Sequence, residues 1–209
     1  MLYKELLGFD LRLPADSYVR DRWEQETRED FLLRSEIQWP LSVDDSVWPS
    51  FFNELEEAAV PLNSVRPSLW FWFNLTKMRS FFLAWKKVQS QRGIPIAVVL
   101  ITEAPLRSND YWEGVLYPHD VLSPGEVPPK WLFLGYDVAD QYKLSGLVNC
   151  RYTDAERATL RATWAARLNE NGLLQTLDDA MAFKDMTDRR VQEHSPFYVY
   201  QLFGEPTEL

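Results

Sequence analysis

The chain has few of the residues that build disulfides, thiolate metal sites and histidine-rich centres. Its 209 residues include one cysteine, Cys150, and two histidines, His119 and His194. A single cysteine excludes an intramolecular disulfide and a zinc site made of several thiolates. Two histidines exclude a His-rich metal site, and a nucleophile–His–acid triad would have to use one of them. Disulfide-poor chains are typical of reducing compartments, so we expect a cytoplasmic protein.

Glycine is also scarce, and none of the eight glycines belongs to a phosphate-binding loop. Walker and dinucleotide loops need glycines at fixed spacing, because the backbone has to approach the phosphates closely. The Gly-x-Ser-x-Gly elbow, the His-Glu-x-x-His zinc motif and the EF-hand calcium loop are missing from the sequence as well. The sequence therefore predicts no cofactor.

No segment is apolar for long enough to cross a membrane as a helix. Purely apolar runs such as residues 97–101 are far shorter than the roughly 20 residues that a spanning helix needs. Residues 1–10 lack the basic start and the continuous apolar stretch of a signal peptide. We expect no membrane partner.

Acidic residues are missing from one segment, although the chain as a whole is acidic. Residues 67–102 hold five bases and no acid, while the net charge of the chain is −9. The segments on either side, 1–66 and 103–209, each have a net charge of −7. A negative field of this size repels nucleic acid and anionic membranes and attracts basic proteins. We therefore expect a basic protein partner, and we regard nucleic acid as unfavoured.

The acid-free segment predicts a strand, a helix and a second strand. Bulky aromatics alternate over residues 68–75, apolar residues recur at helical spacing after residue 76, and residues 94–102 are apolar and β-branched. This order is typical of a parallel strand pair with a right-handed crossover. The predicted fold is α+β, with a mixed β-sheet, one parallel βαβ unit at about 68–102 and helices packed on the sheet.

We predict a single domain over residues 1–209, with an acidic helical part at 1–66 and a core sheet-forming part at 67–209. Further helices are predicted through residues 19–31, 47–60, 153–169 and 177–190, and further strands at 3–13, 111–117, 131–137 and 197–203. Thr153 and Glu156 have the spacing of a capping box at the start of one helix.

The first functional hypothesis is a non-catalytic inhibitor that neutralises a basic partner, such as a bacterial immunity protein that blocks its toxin. Nine tryptophans favour a large aromatic core or a recognition surface. The acidic N-terminal part supplies the steering charge. Its candidate partner-binding residues precede or occupy the predicted helix at 47–60: Asp44, Asp45, Glu54, Glu56 and Glu57.

The alternative is a carboxylate-based, metal-dependent enzyme. Asp137 and Asp140 follow a predicted strand, and Glu103 follows the apolar strand at 94–102, so the three could hold Mg²⁺. His194 next to Glu193 would then be a general acid–base pair. Acids in these positions also cap turns, and adjacent side chains usually point apart. The sequence therefore favours the binding protein.

His119 and Cys150 each have an ordinary structural interpretation beside a functional one. His119 lies in a proline-rich segment, where a surface position is expected. Cys150 could be a reactive thiol, but a small buried core residue is the favoured interpretation.

Overall fold

The computed structural model describes residues 1–14, 37–40, 76, 79, 83, 94–103, 126–140, 145–147 and 153–206. Within these residues, five strands form one sheet in the order β2-β1-β3-β5-β4. The strands are β1 (Tyr3–Pro14), β2 (Ile37–Pro40), β3 (Ile94–Thr102), β4 (Leu132–Ala139) and β5 (Tyr198–Gly204). The helices that complete this part of the fold are α1 (Asp154–Trp164), a 3₁₀ turn (Ala165–Arg167) and α2 (Leu177–Arg190).

Every strand pair in the described sheet is antiparallel, so the predicted mixed sheet with a parallel βαβ unit at about 68–102 is wrong. The second strand of that unit exists as β3, but both of its edges are occupied. One edge pairs with β1 from Ile94 to Thr102, and the other pairs with β5 from Ile96 to Ile101. Because a strand has only two edges, β3 has no room for a parallel neighbour.

The helix predicted after residue 76 is represented by three described residues. Thr76, Arg79 and Leu83 are helical, and all three are exposed, as expected for the solvated face of that helix. The predicted strands at 68–75 and 111–117 and the predicted helices through 19–31 and 47–60 lie outside the described residues. Within the described ranges, no helix is long and apolar enough to span a bilayer.

Strand β3 is the centre of the core because nearly all of its residues are apolar. Ile96, Val98 and Leu100 are buried on one face of the sheet together with Leu202 of β5. Ile101 is buried on the opposite face. A strand covered on both faces shows a continuous apolar run rather than an alternation, which is the pattern of residues 96–101.

Helices α1 and α2 pack on the second face, called the helical face below. Val138 of β4 and Val199 of β5 contact a cluster that includes Trp164 of α1 and Phe183 of α2. The rings of Trp164 and Phe183 meet edge to face, with centroids 5.0 Å apart. Aromatic pairs in this arrangement contribute about 0.5–1.5 kcal/mol beyond the area they bury.

Both helices begin at threonine caps, and the cap at Thr153 was predicted from the sequence. Thr153 accepts a hydrogen bond from the backbone of Glu156, and the Glu156 side chain accepts one from the backbone of Thr153, so the predicted capping box is confirmed. Thr176 caps α2 by accepting from the Asp179 backbone. The predicted helix at 177–190 is confirmed, while the first α-helix ends at Trp164 and the 3₁₀ turn follows it.

The outer edge of β4 is covered by turns from later parts of the chain. Tyr136 and Leu174 exchange two backbone hydrogen bonds, each 2.9 Å long. The Asn169 side chain donates to the Leu134 carbonyl at 2.6 Å, and the Gly146 N–H donates to the Val138 carbonyl at 2.6 Å. These contacts use the backbone groups that an open sheet edge would offer to another chain.

Gly135 lies at a bulge in β4 beneath this cover. The register with β5 shifts between Phe133 and Gly135, and Gly135 has φ of +140°. A Cβ at this position would lie 2.6 Å from the Leu173 Cβ. Glycine is required here both for the backbone conformation and for the close approach of the covering turn.

Candidate functional site

Two of the residues predicted for catalysis, Asp140 and His194, meet in the structure. Asp140 directly follows β4, and His194 lies in the turn between α2 and β5. The His194 Nδ1 is 3.0 Å from the Asp140 Oδ2. The Asp140 side chain is 1% exposed, whereas that of His194 is 33% exposed. A buried carboxylate therefore holds one nitrogen of an imidazole that solvent can reach.

This pairing resembles the way a carboxylate orients a catalytic histidine. An ionised carboxylate only accepts hydrogen bonds, so Nδ1 carries the proton when Asp140 is ionised. Nε2 is then the nitrogen that can accept a proton from a water or a substrate. Glu193 is less closely placed, since its Oε1 lies 3.9 Å from the His194 Nε2. The orienting partner of His194 is thus Asp140 rather than the adjacent Glu193.

Asp137 has a different environment from Asp140. It is buried, and its Oδ1 accepts a 2.6 Å hydrogen bond from the Ser145 Oγ and a 2.8 Å bond from the Val138 N–H. Ser145 also bridges to Ala139 across the return of the chain. These contacts fix the segment that folds back beside β4. Nothing in the sequence pattern singled out Ser145, because its contact depends on this return.

The turn that carries His194 is fixed on its other side by Asp188 of α2. The Asp188 Oδ1 accepts from the Phe197 N–H at 2.7 Å and from the Ser195 Oγ at 3.0 Å. The Lys184 Nζ lies 2.6 Å from the Asp188 Oδ2. Asp140 and Asp188 together hold this turn, so the Asp140–His194 contact has a structural role whatever else it does.

Glu103, the remaining acid of the enzyme hypothesis, is exposed just beyond the end of β3. It lies at the same end of the sheet as Asp140, because β3 and β4 both finish there. Strand β5 separates β3 from β4. Among the described residues, no three His, Cys, Asp or Glu side chains are grouped closely enough to hold a metal ion.

The residues predicted to bind a partner lie outside the described part of the chain: Asp44, Asp45, Glu54, Glu56 and Glu57. His119 and Cys150 lie outside it as well. The partner-binding assignment therefore stays a prediction.

An ion pair between α1 and α2 was not foreseen from the sequence. The Glu156 Oε1 accepts from the Arg190 Nε, and its Oε2 accepts from the Arg190 Nη2, both at 2.9 Å. The hydrogen bonds from Arg190, followed by those from Thr153, lower the pKa of Glu156 to about 2. This pair lines an open groove of about 410 Å³ between the helices, whose other lining residues are Ala155, Thr159, Leu160 and Met186.

Comparison of the chain with models of known protein families, with curated proteins and with solved structures finds no match in any of the three.

Proposed function

We propose that this chain is a non-catalytic, acidic binding protein that acts in the cytoplasm and neutralises a basic protein, as an immunity protein neutralises its toxin. The observation that supports it is the net charge of −9 of the chain, together with the internal pairing of several bases. Arg167 and Arg190 are held in ion pairs with Asp179 and Glu156 within the chain. Arg79 pairs in the same way with Glu205.

Several acids are not compensated in this way. Glu170, Asp178 and Asp185 are exposed, and none of them belongs to an ion pair between the described residues. Exposed bases such as Lys4, Lys130 and Arg189 share this surface, so its negative balance rests on the net charge of −9 of the whole chain. Such a surface accelerates encounter with a basic partner and disfavours nucleic acid and anionic lipid.

The test is to isolate a basic partner and to measure the salt dependence of its association. Affinity purification from the native host at low salt should yield one basic protein, which then forms a one-to-one complex with the purified chain. The association rate should fall steeply between about 0.01 and 0.15 M salt, because the Debye length shortens from roughly 30 Å to 8 Å. Recovery of no basic protein at low salt would contradict the proposal.

Two triple variants with the same change of charge locate the contact surface. The first is Glu54→Gln, Glu56→Gln and Glu57→Gln, in the predicted partner-binding part. The second is Glu103→Gln, Asp178→Asn and Asp185→Asn, three exposed acids of the described part. Both remove three negative charges, so both slow association by weakening the overall field. Only the first should also raise the dissociation rate, because only its carboxylates would touch the partner.

The Asp140–His194 contact favours a second candidate, an enzyme that uses His194 as a general base. Asp140 would orient the imidazole, and Nε2 would take a proton from an attacking water. Hydrolysis of 4-nitrophenyl acetate gives a first test. An enzyme would lose most of its activity in His194→Gln and in Asp140→Asn but not in His119→Gln. Equal rates in the two histidine variants would exclude a special role for His194.

A further inference from the structure

One end of the helical face carries a cluster of aromatic rings. Phe133 is 44% exposed. The Phe133 ring lies 5.0 Å from that of Tyr136 and 5.7 Å from that of Phe203, centroid to centroid. Phe133, Tyr136 and Phe203 are called the aromatic patch below.

The strand register places these three rings on one face of the sheet. Phe133 lies opposite Phe203, and Tyr136 lies opposite Gln201, two positions along β5. Residues two apart in a strand share a face. Helices α1 and α2 cover Val138 and Val199, which lie further along the same strands. Tyr136 packs partly against the helical cluster, while Phe133 lies beyond the cover of the helices and is exposed.

Carboxylates belong to segments that adjoin the aromatic patch. Glu205 comes two residues after Phe203, and its Oε1 already binds a guanidinium, that of Arg79, at 2.5 Å. Glu170 is exposed in the turn whose flanking asparagines, Asn169 and Asn171, donate to the carbonyl of Leu134. Glu126 is exposed in the segment that leads into β4, as is Lys130. Of these, Glu205 and Glu170 belong to segments that adjoin the rings, and Glu170 has no ion pair between the described residues.

Exposed rings bordered by carboxylates are the environment that an arginine side chain prefers. A guanidinium stacks on a ring face while its N–H groups reach a carboxylate. The fold itself contains such an arrangement. The Arg167 guanidinium carbon lies 4.7 Å from the centroid of the Trp164 ring, and its Nη1 pairs with the Asp179 Oδ1 at 2.8 Å.

We propose that the aromatic patch binds arginine side chains of the basic partner. This inference rests on the proposed function and adds a site and a residue preference to it. A second copy of the chain suits the patch less well, because two copies that each carry a charge of −9 repel each other. Lysine also suits it less well, because its compact ammonium is strongly hydrated and does not stack.

Two fluorescein-labelled peptides of equal length and charge, octa-arginine and octa-lysine, test the preference by fluorescence anisotropy at low salt. We expect the wild type to bind octa-arginine about two- to fivefold more tightly than octa-lysine, the range of an exposed cation–π contact. Phe133→Leu keeps an apolar side chain but removes the ring, so it should abolish the difference. Equal binding of both peptides by the wild type would overturn the proposal.

Tyr3→Leu is the matched control. Tyr3 is 36% exposed and pairs with Thr102, at the end of the sheet away from the aromatic patch. This variant should keep the arginine preference, and an equal loss in both variants would contradict the site. Circular dichroism establishes that both are folded, and sedimentation velocity of the wild type detects any dimer. A dimer that Phe133→Leu dissociates would show that the patch serves self-association instead.

The Phe133→Leu variant distinguishes a failure of this inference from a failure of the proposed function. If a basic partner is isolated and Phe133→Leu binds it as tightly as the wild type does, the patch is not the contact surface, although the inhibitor function stands. If no basic partner is recovered, the inhibitor function fails whatever the peptides show.

Discussion

Glu156 and Arg190 join the first turn of α1 to the last turn of α2 through two parallel hydrogen bonds, each 2.9 Å long. The same carboxylate accepts from the backbone and the hydroxyl of Thr153, at 2.9 and 2.8 Å. One side chain thus closes the cap of its own helix and fixes the end of the next. This geometry combines a capping box with a bidentate ion pair, in which arginine is not replaceable by lysine.

The first prediction concerns acid. The pKa of Glu156 is lowered from 4.5 to about 2 in the folded chain, so the ionised group stabilises the fold. Its contribution is complete above about pH 4.5 and disappears as the pH falls through 2. Thermal unfolding of the wild type and of Glu156→Gln should therefore differ most above pH 4.5 and converge towards pH 2.

Glu170→Gln is the control for this acid dependence. Glu170 is exposed and belongs to no ion pair between the described residues. Its difference from the wild type should stay nearly constant over the same pH range. A Glu156→Gln variant that behaved like this control would show that the contact with Arg190 contributes nothing to stability.

The second prediction concerns the bulge of β4. In Gly135→Ala, the new Cβ would lie 2.6 Å from the Leu173 Cβ and 2.9 Å from the Asn169 Nδ2. The backbone conformation alone should cost about 1–3 kcal/mol, and the overlap should add to this. Urea unfolding measures the loss. Leu132→Ala on the same strand is exposed and should cost much less, so equal losses would contradict the steric argument.

The third prediction compares two phenylalanines. Phe183 of α2 is fully buried against Trp164, whereas Phe133 of β4 is 44% exposed. Phe183→Ala should lower the free energy of unfolding by about 3–5 kcal/mol, because it leaves a cavity in the core. Phe133→Ala should cost clearly less. Chemical denaturation measures the free energy of unfolding of both variants. Similar losses would mean that the helices do not pack on the sheet as described.

The fourth prediction concerns the turn before β5. Asp188→Ala removes the acceptor of the Phe197 N–H and of the Ser195 hydroxyl, and it should cost about 1–3 kcal/mol. Asp185→Ala changes an exposed acid of the same helix and should cost about 0.5 kcal/mol or less. If the two variants unfold at the same urea concentration, Asp188 does not hold the turn.

Most of the local secondary structure could be predicted from the sequence. The apolar run at 94–102 predicts a strand, and the helical spacing of apolar residues at 177–190 predicts a helix. The spacing of Thr153 and Glu156 predicts a capping box. Each of these depends on residues that are near one another in the chain, which is the range over which such patterns carry information.

Which strands pair with one another in the sheet could not be predicted from the sequence. A strand, a helix and a strand in succession favour a parallel pair, yet β3 pairs with β1 and β5, which come from distant parts of the sequence. Nothing within residues 68–102 specifies those partners. The Asp140–His194 contact was hidden for the same reason, because 54 positions separate the two residues.

The position of β3 has a consequence for how the chain folds as it is synthesised. Its neighbour β1 leaves the ribosome before it, but β5 follows only once residues 198–204 have been translated. Until then the N–H and C=O groups along one edge of this apolar strand lack their native partner and are open to pairing with other nascent chains. The time spent translating the residues between the two strands is thus a period of exposure to aggregation, which the stability of the finished fold does not reveal.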